Sequence, residues 1–396
     1  MTTSLPRSMA SATLLAMSIA WAQQPGIDPS SGWITTWAAS PQAYSPPPAD
    51  VTVPPGYRLP ESISNQTIRQ IVHVSAGGKQ MRIRLSNEFG TRPVAIGAAA
   101  VALSIGEDRI KPGTSHRITF GGRSSVVIAP GAPMLSDPVA MDIASLSDLA
   151  ISLYLPEDTR PETIHVEGLQ TAYVSTPGNV VASATLPGAA TFLQRLVLTS
   201  VEVRSPHVKG SIVTLGDSIT DGEQSRPNGN PSALARFDRD VGAVSGVRYL
   251  IVADGVNDLD SVGMTVNGQR VDNPAFAASA DDLIGGYQQL IARAHAHGIR
   301  VIGATIMPYE GEGLEADGRV TSENAFTPAK EAMRNAINHW ILASHAFDGV
   351  IDFDAVVRDP AHPSRLQLAY DSGDHIHPNA SGITAMAESI DLALLH

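Results

Sequence analysis

Cysteine is absent from the chain of 396 residues. Its absence excludes disulfide bonds, a cysteine nucleophile and zinc sites built from thiolates. Export from the cell would therefore need no oxidative folding step. The apolar fraction of 43% and the charged fraction of 17% are typical of a soluble globular protein, and the length favours two domains.

The chain is also poor in positive charge. Lys and Arg number 27 against 39 Asp and Glu, the net charge is −12, and no basic run concentrates positive potential. Such a chain repels a polyanion, so nucleic acid is not an expected partner. The acidic balance is explained by solubility and does not by itself indicate a site.

Long apolar runs are lacking as well, and a membrane-spanning helix needs roughly 20 apolar residues. The run from Met9 to Ala20 is too short, but it follows Arg7 and leads into Ala20-Trp21-Ala22, an A-x-A cleavage pattern. We predict a signal peptide over residues 1–22, a linker over 23–32, and secretion to the extracellular space or periplasm. Because Ser and Thr dilute the run, a disordered cytosolic leader is the alternative.

Residues 33–204 have the pattern of an all-β domain. Short alternating runs recur between Gly, Pro and Asn, and hardly any segment has a helical period. The runs lie at Trp33–Trp37, Ile68–Val74, Met81–Leu85, Val94–Leu103, His116–Phe120, Ser125–Ile128, Leu149–Leu155, Ile164–Val174 and Leu196–Val203. Many short strands at this spacing predict a β-sandwich or jelly roll.

From residue 205 to residue 396, strands and helices alternate. The strands are apolar on both faces, as a parallel sheet covered on both sides by helices requires. Strands are predicted at Ser211–Leu215, Val247–Ala253, Arg300–Met307 and Phe347–Phe353, and helices at Ser232–Val241, Ala277–His297, Pro328–Ser344 and Ala380–Leu395. This order predicts a three-layer α/β domain.

Ser218 is the first candidate for chemistry, because Gly216-Asp217-Ser218 follows the first strand of this domain. Ligands of open α/β sheets bind beyond the carboxyl ends of the strands. The same tripeptide is often an ordinary strand-to-helix turn in which serine is the N-cap. A serine nucleophile needs a base, and the base needs a group that orients it.

Such a pair lies in Asp374-His375-Ile376-His377-Pro378. Pro378 restricts His377 to an extended backbone conformation just before the last helix. Asp374 can then accept the Nδ1 proton while Nε2 faces the serine. The alternative is a metal site, because His375 and His377 share a face of an extended segment beside Asp374. No other acidic or histidine cluster supplies a clear third ligand.

Asn257 is the third element, in Gly255-Val256-Asn257-Asp258 after the second strand. Its side-chain N–H₂ could stabilise an oxyanion from the neighbouring strand end. Taken alone, Asn-Asp after a strand is usually a turn.

Together, Gly216–Ile219, Gly255–Asp258 and Asp374–Pro378 resemble, in this order, three blocks of the SGNH (GDSL) hydrolase superfamily. The resemblance extends from about Val208 to the C-terminal end, and Trp33–Ser40 resembles the start of the family's secreted esterases. It implies a flavodoxin-like three-layer sandwich that hydrolyses ester bonds without a metal or other cofactor.

The resemblance also implies roles for single residues. Ser218 would be the nucleophile, His377 the base and Asp374 its orienting partner. Asn257 and the backbone N–H of Ser218 would be the oxyanion donors.

One block of the superfamily is missing: a Gly-x-x-Gly-Asn-like turn after a second strand, whose glycine N–H is another oxyanion donor. Only Glu223–Pro231 separates Gly222 from the next predicted helix, and Asn228-Gly229-Asn230 has no strand before it. We expect the first strand to be left at the sheet edge with exposed apolar surface. Loss of one oxyanion donor costs about 10² to 10³ in rate.

The sequence as a whole predicts a secreted serine esterase that acts on short-chain, acetyl-type carboxylic esters of a small molecule or a glycan. Short acyl chains are favoured because nothing around the three blocks resembles a long apolar lid. A non-catalytic SGNH-like binding protein or a crippled pseudoenzyme is the alternative that the missing block favours, and a metal-dependent hydrolase is a third.

Overall fold

The computed structural model describes residues 32–47, 52–53, 56–221, 231–266, 268–270, 279–314 and 320–396. Residues Gly32–His396 form one compact unit. The predicted signal peptide, nearly all of the predicted linker and the segment Asn228–Asn230 lie outside the described residues. Among the helices of the described part, none has the length and apolar character needed to cross a membrane.

The described chain up to Arg204 is built from short antiparallel strands, so the predicted β-rich region is confirmed. The strands are β1 Trp33–Ala38, β2 Gln42–Ala43, β3 Gln66–Val74, β4 Gly78–Ser86, β5 Val94–Ile96, β6 Ala98–Leu103, β7 His116–Ile118, β8 Val126–Ile128, β9 Pro133–Leu135, β10 Val139–Ile143, β11 Ser147–Leu155, β12 Thr163–His165, β13 Ala172–Val174, β14 Ala190–Phe192, β15 Arg195–Leu196 and β16 Leu198–Arg204. One sheet has the order β1-β16-β4-β10 with β9 beside β4, and another has the order β14-β13-β3-β11-β6-β7. Two small sheets, β15-β12-β2 and β5-β8, complete the described region.

The two larger sheets share one apolar core, to which Ile83 of β4 and Val72 of β3 both belong. Strand β10 shows the pattern behind this packing, because its Val, Met and Ile are buried and the residues between them are exposed. Strand β10 was not among the predicted strands, although its alternation of apolar and polar residues is visible in the sequence. One strand was predicted over Val94–Leu103, but Gly97 separates β5 from β6 there. A side chain at Gly97 would lie 2.8 Å from the Tyr154 ring.

After residue 205, strands and helices alternate as predicted. The strands are β17 Ser211–Gly216, β18 Val247–Ala253, β19 Thr265–Val266, β20 Gln269–Arg270, β21 Arg300–Ala304 and β22 Gly349–Ile351. The helices are α1 Ser218–Asp221, α2 Ala233–Phe237, α3 Val256–Asp260, α4 Ala280–Ala296, α5 Pro328–Ala343, α6 Phe353–Val357 and α7 Ala380–Glu388, with a π-helical turn at Asp238–Gly242 and a 3-10 turn at Leu392–Leu395. Strands β17, β18, β21 and β22 form a parallel sheet in that order.

Both faces of this parallel sheet carry apolar side chains. On one face, Leu250 of β18 belongs to a cluster with Leu290 of α4 and Ile337 of α5. The next residue of β18, Ile251, belongs to a different cluster that contains Met386 of α7. Burial on both faces explains why these strands read as continuous apolar runs.

Several predicted elements are too long. The strand predicted to reach Met307 ends at Ala304, because Ile306 leaves the sheet and both its N–H and its C=O bond to the Asn338 side chain at 2.8 Å. The strand predicted to reach Phe353 ends at Ile351, since Asp352 caps α6 through the Ala355 N–H. The last helix ends at Glu388 rather than near the C-terminal residue.

Strand β17 lies at the end of the described parallel sheet and pairs there with β18. This edge position of β17 was predicted from the missing block. Ile212, the second residue of β17, is 47% exposed. An apolar residue on an open strand edge is the expected consequence of a lost neighbouring strand.

The β-rich region contacts the α/β region beside this edge. The Thr35 N–H of β1 donates to the Ser245 carbonyl at 3.0 Å, and the Ser245 N–H donates to the Thr35 hydroxyl at 3.1 Å. The Ser211 hydroxyl at the start of β17 donates to the Thr35 carbonyl at 2.9 Å. Strand β1 is therefore hydrogen-bonded to the beginning of the parallel sheet.

Candidate active site

Ser218 is the first residue of α1 and lies just beyond the carboxyl end of β17. The turn is tight: a side chain at Gly216 would collide with the Thr220 hydroxyl and the Ala253 carbonyl. The Ile219 N–H donates to the Asp217 carboxyl at 3.0 Å. Gly216 and Asp217, directly before Ser218, thus shape the backbone that presents Ser218.

The loop before α7 carries Asp374 and His377. The N–H groups of Ile376 and His377 donate to Asp374 Oδ1 at 3.1 and 2.9 Å, and the Ser372 hydroxyl donates to the same atom at 2.9 Å. Asn379 ends the loop by capping α7. The Asp374 carboxylate is therefore held by its own loop before it contacts the imidazole.

The loop and the serine meet in a continuous line of hydrogen bonds. Ser218 Oγ lies 2.8 Å from His377 Nε2, and His377 Nδ1 lies 2.7 Å from Asp374 Oδ2. Burial raises the pKa of Asp374, but the imidazole and two backbone N–H groups lower it more, to about 2. Asp374 is therefore ionised, and its charge favours a proton on Nδ1, which leaves Nε2 free to accept the serine proton.

His375 does not join this line. Its Nδ1 lies 2.6 Å from Asp371 Oδ2, and its backbone adopts a φ of 68°. The metal alternative assumed an extended segment with His375 and His377 on one face, and this left-handed residue breaks that geometry. Within the described ranges, no group of three or more His, Asp or Glu side chains is arranged to hold a metal ion.

Asn257 lies in the first turn of α3, after β18. Gly216 and Ala253 are paired in the parallel register, so Ser218 and Asn257 leave the sheet at the same edge. Gly255 at the start of α3 has a φ of 121°, and a side chain there would lie 2.8 Å from the Tyr287 hydroxyl. The sharp entry into α3 thus depends on glycine.

Two half-buried carboxyls and one arginine lie under the serine turn. Burial, and then the charge of Asp254, raises the pKa of Asp217 to about 8. Burial also raises the pKa of Asp254, while the charge of Arg236 lowers it, and the result is about 6. Arg236 lies 3.8 Å from Asp254 Oδ2 and donates to the Gly216 carbonyl at 2.6 Å.

Asp254 and Arg236 were not among the residues predicted for the site. The position of Asp254 directly after β18 was a usable signal, since polar residues at strand ends face the mouth of the sheet. Arg236 belongs to the short helix α2, and no pattern in the sequence connects it to the end of β17. Its contacts arise only from the folded arrangement.

A surface cavity of about 560 Å³ lies beside the histidine loop, and its lining includes Glu312, Leu314, Phe326, Arg365 and His375. Gly311 has a φ of 109°, and a side chain there would lie 2.9 Å from the His375 ring. Burial, and then the charge of Asp260, raises the pKa of Glu312 to about 9. Glu312 is therefore protonated at neutral pH, and the lining combines such polar groups with apolar side chains.

Comparisons with known proteins find a family match in the second half of the chain. Residues 228–385 match the GDSL-like Lipase/Acylhydrolase family, a range that contains Asn257, Asp374 and His377 and begins after Ser218. None of the curated proteins compared with the chain matches it.

Two similar solved structures are a GDSL-like lipase from Bacteroides thetaiotaomicron and a catalytic mutant of an acetylxylan esterase from Geobacillus stearothermophilus. The first is 19% identical, with a TM-score of 0.32 over 46% of this chain and 87% of that chain. The second is 18% identical, with a TM-score of 0.30 over 48% of this chain and 96% of that chain. TM-scores this low say nothing about the substrate of this protein. Residues 228–385 are thus similar to the GDSL-like Lipase/Acylhydrolase family, and a β-rich region precedes them.

Proposed function

We propose that this protein is a serine esterase in which Ser218, His377 and Asp374 carry out acyl transfer. The observation that supports the proposal is the line of hydrogen bonds from Ser218 Oγ through His377 to Asp374, at 2.8 and 2.7 Å. These distances meet the geometric requirement for a nucleophile activated by an oriented base. The family of the C-terminal domain, whose members are acylhydrolases by name, is in keeping with an ester substrate.

Catalysis would proceed in two halves. His377 Nε2 takes the Ser218 proton as Oγ attacks the ester carbonyl carbon, and the protonated imidazole then gives this proton to the leaving alcohol. In the second half, His377 takes a proton from water, the resulting hydroxide attacks the acyl-enzyme, and the proton returns to Ser218. Asp374 holds the ring and stabilises its positive charge in both halves.

The oxyanion would be held by the Ser218 N–H and the Asn257 side chain, which leave the same edge of the sheet. Because the glycine block of the superfamily is missing from the sequence, we expect a hole with fewer donors. Removing one donor costs about 10² to 10³ in rate, so the proposal is a slow esterase rather than an inactive one.

The substrate we propose is a short-chain, acetyl-type ester of a small molecule or a glycan. The cavity beside the histidine loop supports this choice, because it is lined by Glu312, Arg365 and His375 beside Leu314 and Phe326. The charged and polar groups of this lining can orient a hydroxyl-bearing substrate, and its apolar side chains can contact the rest of a small molecule. We further propose that the domain has a flavodoxin-like three-layer frame and that the protein is secreted, as the A-x-A pattern predicts.

The proposal is tested by the rate of p-nitrophenyl acetate hydrolysis, measured for the wild type and for Ser218→Ala, with folding of both checked by circular dichroism. We expect the wild type to turn over and the variant to lose this activity. Equal rates in the two proteins would refute Ser218 as the nucleophile. A folded wild type without turnover on any short ester would favour the non-catalytic binding protein that the missing block suggests.

A further inference from the structure

The β-rich region contacts the helix that begins with Ser218. His165, the last residue of β12, lies with its Nε2 3.3 Å from Oδ1 of Asp221, the last residue of α1. Its other ring nitrogen, Nδ1, lies 3.0 Å from the carbonyl oxygen of Ser40, between β1 and β2. The His165 side chain is only 14% exposed. One histidine therefore connects α1 to two elements of the β-rich region.

Both neighbours of the ring are hydrogen-bond acceptors. A carbonyl oxygen and a carboxylate cannot donate, so both ring nitrogens must carry a proton if both contacts are favourable. This requirement selects the positively charged imidazolium. Burial lowers the pKa of His165, but Asp221 and the backbone of Ser40 and Glu167 raise it more, so that the net shift is upward.

Two other charged groups near His165 in the described part of the chain, Glu167 and Arg195, have partners of their own. Glu167, two residues along the chain, accepts a hydrogen bond from the Tyr57 hydroxyl at 3.1 Å. Arg195 of β15 is paired with His165 in the sheet, and its guanidinium donates to the carbonyls of Gly168 and Gln170 at 3.0 and 2.7 Å. Asp221 is thus the carboxylate that faces the ring.

Helix α1 is too short to hold its own position. It has four residues, and a single turn is unstable without tertiary contacts. Its contacts with the parallel sheet include a hydrogen bond from the Thr220 hydroxyl to the Ala253 carbonyl at 3.3 Å. Asp221, the next and last residue of α1, contacts His165. The position of α1, which begins with Ser218, therefore depends on these contacts of Thr220 and Asp221.

Resting on the proposed function, we infer that His165 is a positioning residue: its charged contact with Asp221 holds α1 so that Ser218 meets His377. When the ring loses this proton, its hydrogen bond to the Asp221 carboxylate is weakened, or an unprotonated nitrogen faces the carboxylate. Helix α1 is then held less firmly. The β-rich region thereby contributes to the esterase site through a single side chain.

The inference predicts the alkaline side of the pH profile. A histidine with a raised pKa in the folded state stabilises its contact at low pH and loses that effect as the pH rises through the raised pKa. His377 must be neutral to act as a base, so activity rises on the acid side. The expected profile of kcat is a bell whose alkaline limb belongs to His165. Asp217 and Glu312, with pKa values of about 8 and 9, also titrate there, so variants must assign the limb.

The kinetic test measures kcat and KM for p-nitrophenyl acetate across the pH range, with the Ser218→Ala rate subtracted as background. His165→Gln keeps a neutral amide donor that does not titrate, and we expect near wild-type kcat at neutral pH and no alkaline limb. His165→Ala should lower kcat by about tenfold or more at unchanged KM, because a displacement of 1 Å in a reacting group can cost about 10²-fold. The control is His73→Gln, which alters another His–Asp pair, His73 with Asp148, on the surface of the β-rich region. An alkaline limb that persists in His165→Gln, or that disappears in His73→Gln, overturns the inference.

A second measurement does not depend on turnover. Hydrogen–deuterium exchange of the peptide that contains Ser218 to Asp221 should accelerate at alkaline pH in the wild type beyond the intrinsic chemical rate, and should not do so in His165→Gln. This result with an inactive wild type would refute the esterase proposal and leave the contact between His165 and α1 supported. Identical exchange in the two proteins at every pH would overturn the positioning role even in an active enzyme.

Discussion

Buried charge is handled differently in the two regions of this molecule. In the described β-rich region, the charged residues that are less than 2% exposed are Arg69 and Arg195, and the buried carboxylate of Glu202 is paired with Arg82 at 2.6 Å. Arg69 donates to the Asp108 and Ser183 carbonyls at 2.5 and 2.9 Å, and Arg195 donates to the Ile71 carbonyl at 3.1 Å. Burial lowers the pKa of Arg195 to about 10, which still leaves it charged at neutral pH. These guanidiniums join loops to strands at every physiological pH.

In the α/β region, buried carboxyls gather beneath the site. Asp217, Asp254, Asp260 and Glu312 all have a raised pKa, and burial is the largest cause in each case. A buried carboxyl can avoid the cost of desolvating its charge by keeping its proton. The charge of these buried arginines is thus independent of physiological pH, whereas the carboxyls near Ser218 change their charge between acid and alkaline pH.

The largest expected effect compares two aspartates that each contact a histidine. In Asp374→Asn, the amide cannot favour a proton on His377 Nδ1, so kcat for p-nitrophenyl acetate should fall by about 10⁴-fold. Asp148→Asn alters the pair with His73 in the β-rich region, where both side chains are about half exposed, and should leave kcat unchanged. Similar losses in both variants would mean that kcat reports general damage to the fold and would remove the distinction between the two pairs.

The next effect concerns the buried arginines. Arg195→Ala leaves the carbonyls of Ile71, Gly168 and Gln170 without their donor and opens a cavity. We expect the free energy of unfolding in urea to fall by about 3 kcal/mol, because each unsatisfied buried group costs about 1 to 3 kcal/mol. Arg117→Ala on the exposed face of β7 is the matched control, with an expected change within about 0.5 kcal/mol. If Arg195→Ala lowers the free energy of unfolding no more than Arg117→Ala does, the Arg195 guanidinium does not stabilise these loops.

Much of this arrangement could be predicted from local patterns. The strand Val247–Ala253 is found with the bounds that were predicted, because its centre, Leu250 to Val252, is buried on both faces and reads as an apolar run. Ser218, Asp374 and His377 could be brought together from strand-end position and from the proline after His377. Their catalytic roles remain predictions that the variants above test.

Other features could not be read from the sequence because they depend on distant contacts. Nothing near His165 indicates that its ring meets Asp221, since the two residues belong to different regions. The positive φ of His375, which turns its ring to Asp371, reversed the expectation of an extended segment. The raised pKa values of Asp217 and Asp254 depend on two strand ends lying side by side, which is a property of the register between β17 and β18.

The smallest expected effect concerns these carboxyls and tests the pH difference between the regions directly. Because the pKa of Asp217 is raised to about 8 in the folded protein, its protonated form stabilises the fold, and this contribution is lost as the pH rises from its ordinary pKa of 3.8. We expect the wild-type free energy of unfolding to fall between about pH 5 and about pH 8, and to fall less in Asp217→Asn, which cannot ionise. The control is Asp137→Asn in the β-rich region, where the Thr119 hydroxyl and the N–H groups of Gly122 and Gly121 lower the pKa of an exposed carboxylate. The stabilising effect of Asp137 is lost only as the pH falls through its lowered pKa, so this control should keep the wild-type slope between the two pH values. If urea unfolding gives Asp217→Asn the wild-type slope as well, the buried carboxyls of the α/β region are not the source of its pH dependence.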